Sequence, residues 1–139
     1  MRLFGRLFRK KLLVEAHDPV FGRITFEHGL WTFIPASHAE GFMIAVDAPE
    51  SGPSQSQREF FQAVRANLSA FEQRARDFIR SRADSSVDAC ALAVYSVEVG
   101  SDDEVKQARF VLEMSDATAV VVHRVSFVCD EPVSYGYDD

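Results

Sequence analysis

Residues 56–82 carry the feature that most constrains the fold: apolar side chains recur every three or four positions, without an intervening proline or glycine. This spacing gathers them into one stripe along a helix. The stripe consists of Phe60, Phe61, Val64, Leu68, Phe71, Ala75, Phe78 and Ile79. Two pairs have the spacing of a capping box, Ser54 with Gln57 and Ser56 with Glu59. The pattern predicts one long amphipathic helix, which needs an apolar surface to pack against.

Segments with the pattern of β-strands flank this helix and supply that surface. Three precede it, at residues 23–27, 30–34 and 42–46, and His28-Gly29 separates the first two like a hairpin turn. Three follow it, at residues 87–99, 105–114 and 119–129. Short connections favour antiparallel pairing. The predicted fold class is therefore α+β, a curved antiparallel sheet with the order βββαβββ along the chain and the helix on one face.

Two details of the fourth predicted strand add expectations about packing. Ala89, Ala91 and Ala93 alternate along it, which predicts a shallow seat for the phenylalanines of the helix. Cys90 lies in the same apolar segment, and Cys129 ends the last predicted strand. Free cysteine behaves as a small apolar residue, so we expect both thiols to be buried and free.

Length and charge divide the chain into two parts. Its 139 residues are typical of one domain, and 47% hydrophobic content is sufficient for a core. Residues 1–11 hold five basic groups and no acid, whereas residues 83–139 hold three basic groups against twelve acids, a net charge of −9. We therefore expect a basic N-terminal segment at 1–11 and a single α+β domain at 12–139.

The N-terminal segment is consistent with two interpretations. Leu and Phe side chains alternate with basic ones at helical spacing, as in segments that lie on anionic membranes. The membrane-binding residues would be Arg2, Phe4, Phe8, Lys10 and Lys11. Alternatively, the segment docks on the acidic remainder of the same protein.

The sequence lacks the motifs of the common catalytic and cofactor sites. It has no G-x-S-x-G, C-x-x-C, H-E-x-x-H, P-loop or G-x-G-x-x-G pattern, so it identifies no catalytic, metal-binding or cofactor-binding residue. The acidic balance disfavours nucleic acid as a partner. No apolar run reaches the roughly 20 residues of a membrane span, and no secretory signal is evident, which favours a cytoplasmic protein.

The candidate partner-binding residues are acidic or aromatic. Asp102, Asp103 and Glu104 fall in one predicted turn and Asp116 in the next, where they would present negative charge to a basic partner. Successive turns lie at opposite ends of a sheet, so these two do not form one patch alone. Trp31, the one tryptophan, fits either the core or a contact surface.

The stretch Asp18-Pro-Val-Phe-Gly22, followed by strand residues and Trp31, resembles small bacterial domains of unknown function, some of which are suspected immunity proteins of polymorphic toxin systems. The resemblance covers about the first third of the chain. The C-terminal stretch from Phe127 through Pro132-Val-Ser-Tyr-Gly-Tyr-Asp-Asp139 is similar to such proteins in a more general way. The resemblance implies a binding role and carries no catalytic residue.

The functional expectation is a non-enzymatic protein-interaction module, of the immunity type, that binds a partner protein through an acidic surface. The alternative is a small ligand-binding protein or hydrolase with a pocket between helix and sheet, lined by polar groups such as His123.

Overall fold

The computed structural model describes residues 13–37 and 41–138, which form one eight-stranded sheet with helices packed on it. The first half contains β1 (Val14–Asp18), β2 (Gly22–Glu27), β3 (Leu30–Phe33) and β4 (Met43–Asp47). The helical connection contains α1 (Gln55–Ala66), α2 (Leu68–Arg82) and a 3₁₀ turn (Ala89–Ala91). The second half contains β5 (Ala93–Val99), α3 (Asp102–Lys106), β6 (Arg109–Ser115), β7 (Val122–Val128) and β8 (Glu131–Asp138).

The strands lie side by side in chain order, from β1 to β8. Every neighbouring pair is antiparallel except β4 and β5, which are parallel with Val46 opposite Val99. A parallel pair requires a long crossover, and helices α1 and α2 provide it. The sheet therefore consists of two four-stranded antiparallel halves joined by one helical crossover.

Both long helices pack on the same face of the sheet. Their buried apolar residues are Phe61, Val64, Phe71, Ala75 and Ile79, all members of the predicted stripe. Phe71 contacts Phe110 and Phe127 edge to face, with ring centroids 5.0 and 5.5 Å away. The alternation along β6 and β7 directs these two phenylalanines towards the helices. The core thus lies between the helices and this face, as the sequence predicts.

The single long helix of the prediction is wrong, because the helix is interrupted at Asn67. The Asn67 side chain donates a hydrogen bond to the backbone oxygen of Ala63, and its backbone leaves helical geometry at ψ 19°. Asparagine competes for backbone groups in this way. The predicted capping box of Ser54 and Gln57 is confirmed and begins α1.

The predicted order βββαβββ is also wrong, since there are four strands on each side of the crossover. The sequence interpretation missed β1 and treated β8 as a tail. Cys129 and Asp130 both have positive φ, the conformation of a tight two-residue hairpin turn, without the Asn-Gly or Asp-Gly pair that marks one. The segment predicted to open with Val105 instead begins as α3, whose acidic first turn suits a helix N-terminus.

The expectations for the fourth predicted strand are corrected too. Residues 89–91 form the 3₁₀ turn, and Ala91 and Ala93 are exposed, so they make no seat for the helix. Cys90 and Cys129 are free but exposed, because one lies on this turn and the other in the β7–β8 hairpin.

Asp18 has a structural role in the Asp18-Pro-Val-Phe-Gly22 stretch. Its carboxylate is buried and accepts hydrogen bonds from the backbone N–H groups of Val20 and Phe21, at 2.9 and 3.0 Å. Arg58 of α1 donates to its other oxygen from two nitrogens, both at 2.8 Å. Burial raises the pKa of Asp18, but the hydrogen bonds from Arg58, Phe21 and Val20 outweigh burial and hold it below its ordinary value. The pair therefore ties the first hairpin to the helical layer.

We expect Arg58→Met to lower the free energy of unfolding by about 3 kcal/mol at neutral pH, because it leaves a buried carboxylate without its partner. A depressed pKa stabilises the folded state above the ordinary pKa of aspartate, and this contribution is lost as the pH falls through the lower folded value. The difference from the wild type should therefore shrink in acid. Urea titrations across pH measure it, with Arg65→Met on the exposed side of α1 as the control. A difference that is constant with pH would exclude the role assigned to Asp18.

No helix in the described part of the chain is long and apolar enough to cross a membrane. The predicted membrane-binding residues Arg2, Phe4, Phe8, Lys10 and Lys11 lie outside the described residues.

Candidate functional site: a groove on the open face of the sheet

The face of the sheet opposite the helices, called the open face here, carries small and polar side chains. One row crosses it through paired positions, namely Thr25, Thr32, Ala45, Glu98, Val111, Ser126 and Ser134. These residues alternate with the core residues of the same strands. The helical crossover places β4 beside β5. Ala45 and Glu98, at the centre of this row, therefore join the two halves of the sheet.

A groove of about 450 Å³ lies on the open face across β3 to β8. Ala45, Val111 and Ser126 line it from the centre of the sheet, while Leu30 and Val133 are 41% and 52% exposed at its two sides. Its further lining residues include Asp47, Glu98, Glu104 and Arg109. The volume lies within the range of ligand-binding clefts. The groove therefore combines an apolar base with a charged rim.

The rim belongs to one end of the sheet, called the acidic end here. The register brings Leu30 opposite Asp47 and Arg109 opposite Val128, so β4, β5 and β7 finish where β3, β6 and β8 begin. The acidic residues at this end are Glu27, Asp47, Glu50, Asp102, Asp103, Glu104, Asp130 and Glu131. The basic ones in its strands and short helix are Lys106 and Arg109. Negative charge thus predominates beside the groove.

Gln57 holds the acidic end together. Its side chain is 2% exposed, and its amide nitrogen donates to the backbone oxygens of Asp47 and Gly100, at 2.8 and 2.9 Å. Its side-chain oxygen accepts from Ser54 N–H at 2.9 Å. The Ser54 hydroxyl in turn donates to Asp102. One helical side chain therefore joins the ends of the parallel strands and, through Ser54, orients α3.

Two glutamates and one arginine meet on the open face where β5, β6 and β7 adjoin. Arg124 donates to both oxygens of Glu98, at 2.9 and 2.8 Å, and one of its nitrogens lies 3.4 Å from a Glu113 oxygen. Glu113 and Glu98 are also hydrogen-bonded to each other. Only Glu98 of the three lines the groove. Its charge is matched by Arg124, so Asp47 and Glu104 provide most of the negative field at the rim.

The two glutamates have opposite pKa shifts. Burial, together with the hydrogen bond and the charge of Glu98, raises the pKa of Glu113 to about 7 against the opposing effects of Arg124 and Ser96. Burial also raises the pKa of Glu98, but the hydrogen bonds from Arg124 and Glu113 outweigh it and leave that pKa below its ordinary value. The pair therefore shares one proton below neutral pH, with Glu113 as the donor.

The predicted partner-binding residues fall in three places. Asp102, Asp103 and Glu104 are exposed on α3, at the acidic end. Asp116 lies at the opposite end, in the β6–β7 turn, where it accepts a hydrogen bond from Thr118 N–H at 2.9 Å.

Trp31 is 1% exposed, and its indole N–H donates to Pro49 O at 2.8 Å, so it packs in the core and braces the loop after β4.

Asp47 and Glu98 were missed as candidate residues. Each lies in a strand with no distinguishing motif, and only the parallel pairing of β4 with β5 brings the two residues close together. Gln57 was recognised as a helix cap, but its contacts with β4 and β5 have no signal in the sequence.

The space between helices and sheet is largely filled. Phe110 and Phe127 stack there with Phe71 edge-on against both, and His123 is buried beside Tyr135, whose hydroxyl lies 2.8 Å from His123 Nδ1. Burial lowers the pKa of His123. A cavity of about 300 Å³ at the margin, lined by Phe60, Val64 and other residues, does not include His123. Within the described residues, no buried side-chain polar atom lacks a hydrogen bond, and no group of three His, Cys, Asp or Glu could hold a metal.

Comparison of the chain with protein-family models, with curated proteins and with solved structures finds no match.

We expect Gln57→Leu to lower the free energy of unfolding by about 2 to 3 kcal/mol, because the oxygens of Asp47 and Gly100 lose their donor in a buried place. Denaturant titration measures this loss. Gln62→Leu, at an exposed position of α1, is the matched control and should be close to neutral. Equal effects of the two substitutions would contradict the role of Gln57.

Glu113→Gln should change the pH dependence of stability. Unfolded glutamate releases its proton near 4.5 and folded Glu113 near 7, so the folded state binds more protons between these values. Wild-type stability should therefore fall as the pH rises through this window, and the variant should lack this component. Urea midpoints at several pH values measure it, with Glu59→Gln as the control. A variant with the wild-type slope would exclude the shared proton.

Proposed function

We propose that the protein is a non-enzymatic interaction module that binds a basic segment of a partner protein in the open-face groove, at the acidic end of the sheet. The observation that carries the proposal is the position of the groove's apolar base directly beside Asp47 and Glu104. Lysine and arginine combine an apolar stem with a cationic head, and this arrangement is complementary to both parts.

Charge at the acidic end would contribute mainly to recognition. Exposed carboxylates steer an oppositely charged partner and raise its association rate, while an apolar groove slows its release. The suspected immunity proteins that the first third resembles suggest one such role, in which the partner is a toxin.

The alternative, a ligand-binding protein or hydrolase with a pocket between helix and sheet, has less support. Buried apolar side chains occupy most of that space, and His123 faces Tyr135 there. The open-face groove, at about 450 Å³, is larger than the cavity of about 300 Å³ at the margin between helices and sheet.

Affinity capture from a lysate of the source cell tests the proposal. Asp47→Asn/Asp103→Asn should lose a partner that the wild type retains at low salt and releases at high salt, because both side chains are exposed acids of the acidic end. The matched control is Glu59→Gln/Asp138→Asn, which removes two exposed acids elsewhere and should retain the partner. Equal retention by both variants, or capture of no partner by the wild type, would reject the proposal.

A further inference from the structure

The basic N-terminal segment joins the described structure at the acidic end. Val14 begins β1 and pairs with Phe26, next to Glu27 at the finish of β2. Glu27 in turn pairs with Leu30, which lines the groove. Residues 1–12 therefore precede a strand whose first residue lies at the same end of the sheet as the groove and its acids.

The segment is long enough to reach the groove. Neighbouring strands are about 4.8 Å apart, so β1 lies roughly 10 Å from β3 and about 19 Å from β5. Twelve residues span up to about 40 Å when extended, or about 18 Å as a helix. From Leu13, an extended segment is long enough to cross the groove, whereas a helix is long enough to reach only its near side at Leu30 and Ala45.

The segment also has the composition that the groove favours. Its five basic groups, with no acid among residues 1–11, complement the carboxylates of the acidic end. Its Leu and Phe side chains complement the apolar lining of the groove, which includes Val111 at the base and Leu30 and Val133 at the two sides. Tethering gives such a segment a high effective concentration at a neighbouring site.

We propose that residues 1–12 bind the open-face groove of their own chain and compete there with the basic segment of a partner. The competition rests on the proposed function, whereas the contact between residues 1–12 and the groove does not depend on it. Binding in the groove would make the free protein self-occluded. An occupancy of ~90% would weaken the apparent affinity for the partner about tenfold.

Nuclear magnetic resonance of the full chain, without a partner, tests the contact. The variant changes every basic residue of the segment to glutamine, at Arg2, Arg6, Arg9, Lys10 and Lys11. We expect the backbone amide signals of Ala45, Val111 and Ser126 to shift relative to the wild type, because the segment leaves the groove. Signals of the β6–β7 turn, at the opposite end, should stay in place. High salt should move the wild-type signals towards those of the variant.

Two controls separate this contact from general electrostatics. Arg65→Gln, on the exposed side of α1, should leave the groove signals unchanged. In the background Asp47→Asn/Asp103→Asn, the five glutamine substitutions should shift them less, since the groove side of the contact is already weakened.

Three results would overturn the proposal. Shifts confined to Leu13 and Val14 would mean that the segment does not enter the groove. Shifts that grow with protein concentration would assign the groove to the segment of a second copy. Groove signals that are unchanged, together with loss of sedimentation on phosphatidylserine vesicles in the variant, would make a membrane the target of the segment.

Partner capture distinguishes this inference from the proposed function. If both hold, the five-glutamine variant captures the partner more strongly than the wild type. If the groove signals shift but Asp47→Asn/Asp103→Asn captures the partner normally, the intramolecular contact stands and the proposed function fails.

Discussion

The parallel pairing of β4 with β5 determines how the two halves of the sheet are connected and where the helices lie. Strands that run in the same direction cannot be joined by a tight turn, so the chain needs a crossover between them. Here α1 and α2 form it, and both pack on one face of the sheet. Gln57 completes the junction because its buried amide bonds the strand ends at Asp47 and Gly100.

The same junction creates the candidate site on the open face. With the helices on one side, the row through Ala45, Glu98 and Val111 borders a groove on the other side. Arg124 neutralises Glu98 by a two-point contact, whereas Asp47 and Glu104 stand at the rim near the ends of β4 and β5. The pair of Glu98 and Arg124 therefore stabilises the sheet, whereas Asp47 and Glu104 would contribute to recognition of a basic partner.

Local patterns in the sequence predicted most of the helical layer and six of the eight strands of the described sheet. The apolar stripe, the capping box at Ser54 and the hairpin at His28-Gly29 depend on neighbouring residues, and the structure confirms them. The break at Asn67 and the hairpin at Cys129-Asp130 depend on side-chain competition and on left-handed backbone that the residue types do not mark. The exposure of Cys90 follows from a 3₁₀ turn inside an apolar segment.

Only part of the candidate site was predicted, because local sequence patterns do not show which distant residues lie at the same end of the sheet. The run Asp102-Asp103-Glu104 was visible as local charge, but its neighbours Asp47 and Glu131 come from distant parts of the chain. Only strand order shows that these acids share one end and that the groove lies beside them. Trp31 was ambiguous because an aromatic residue in a strand can face either side, and its bond to Pro49 O resolves the question.

Carbodiimide cross-linking of the full chain tests whether residues 1–12 bind in the groove at the acidic end. The reagent joins a lysine amine to a carboxylate that it contacts, and mass spectrometry identifies the pair. The account predicts links from Lys10 or Lys11 to Asp47 or Glu104, formed within one chain and lost at high salt. Links only to Asp116 or Asp138, away from the groove, or no links from these lysines at all, would contradict it.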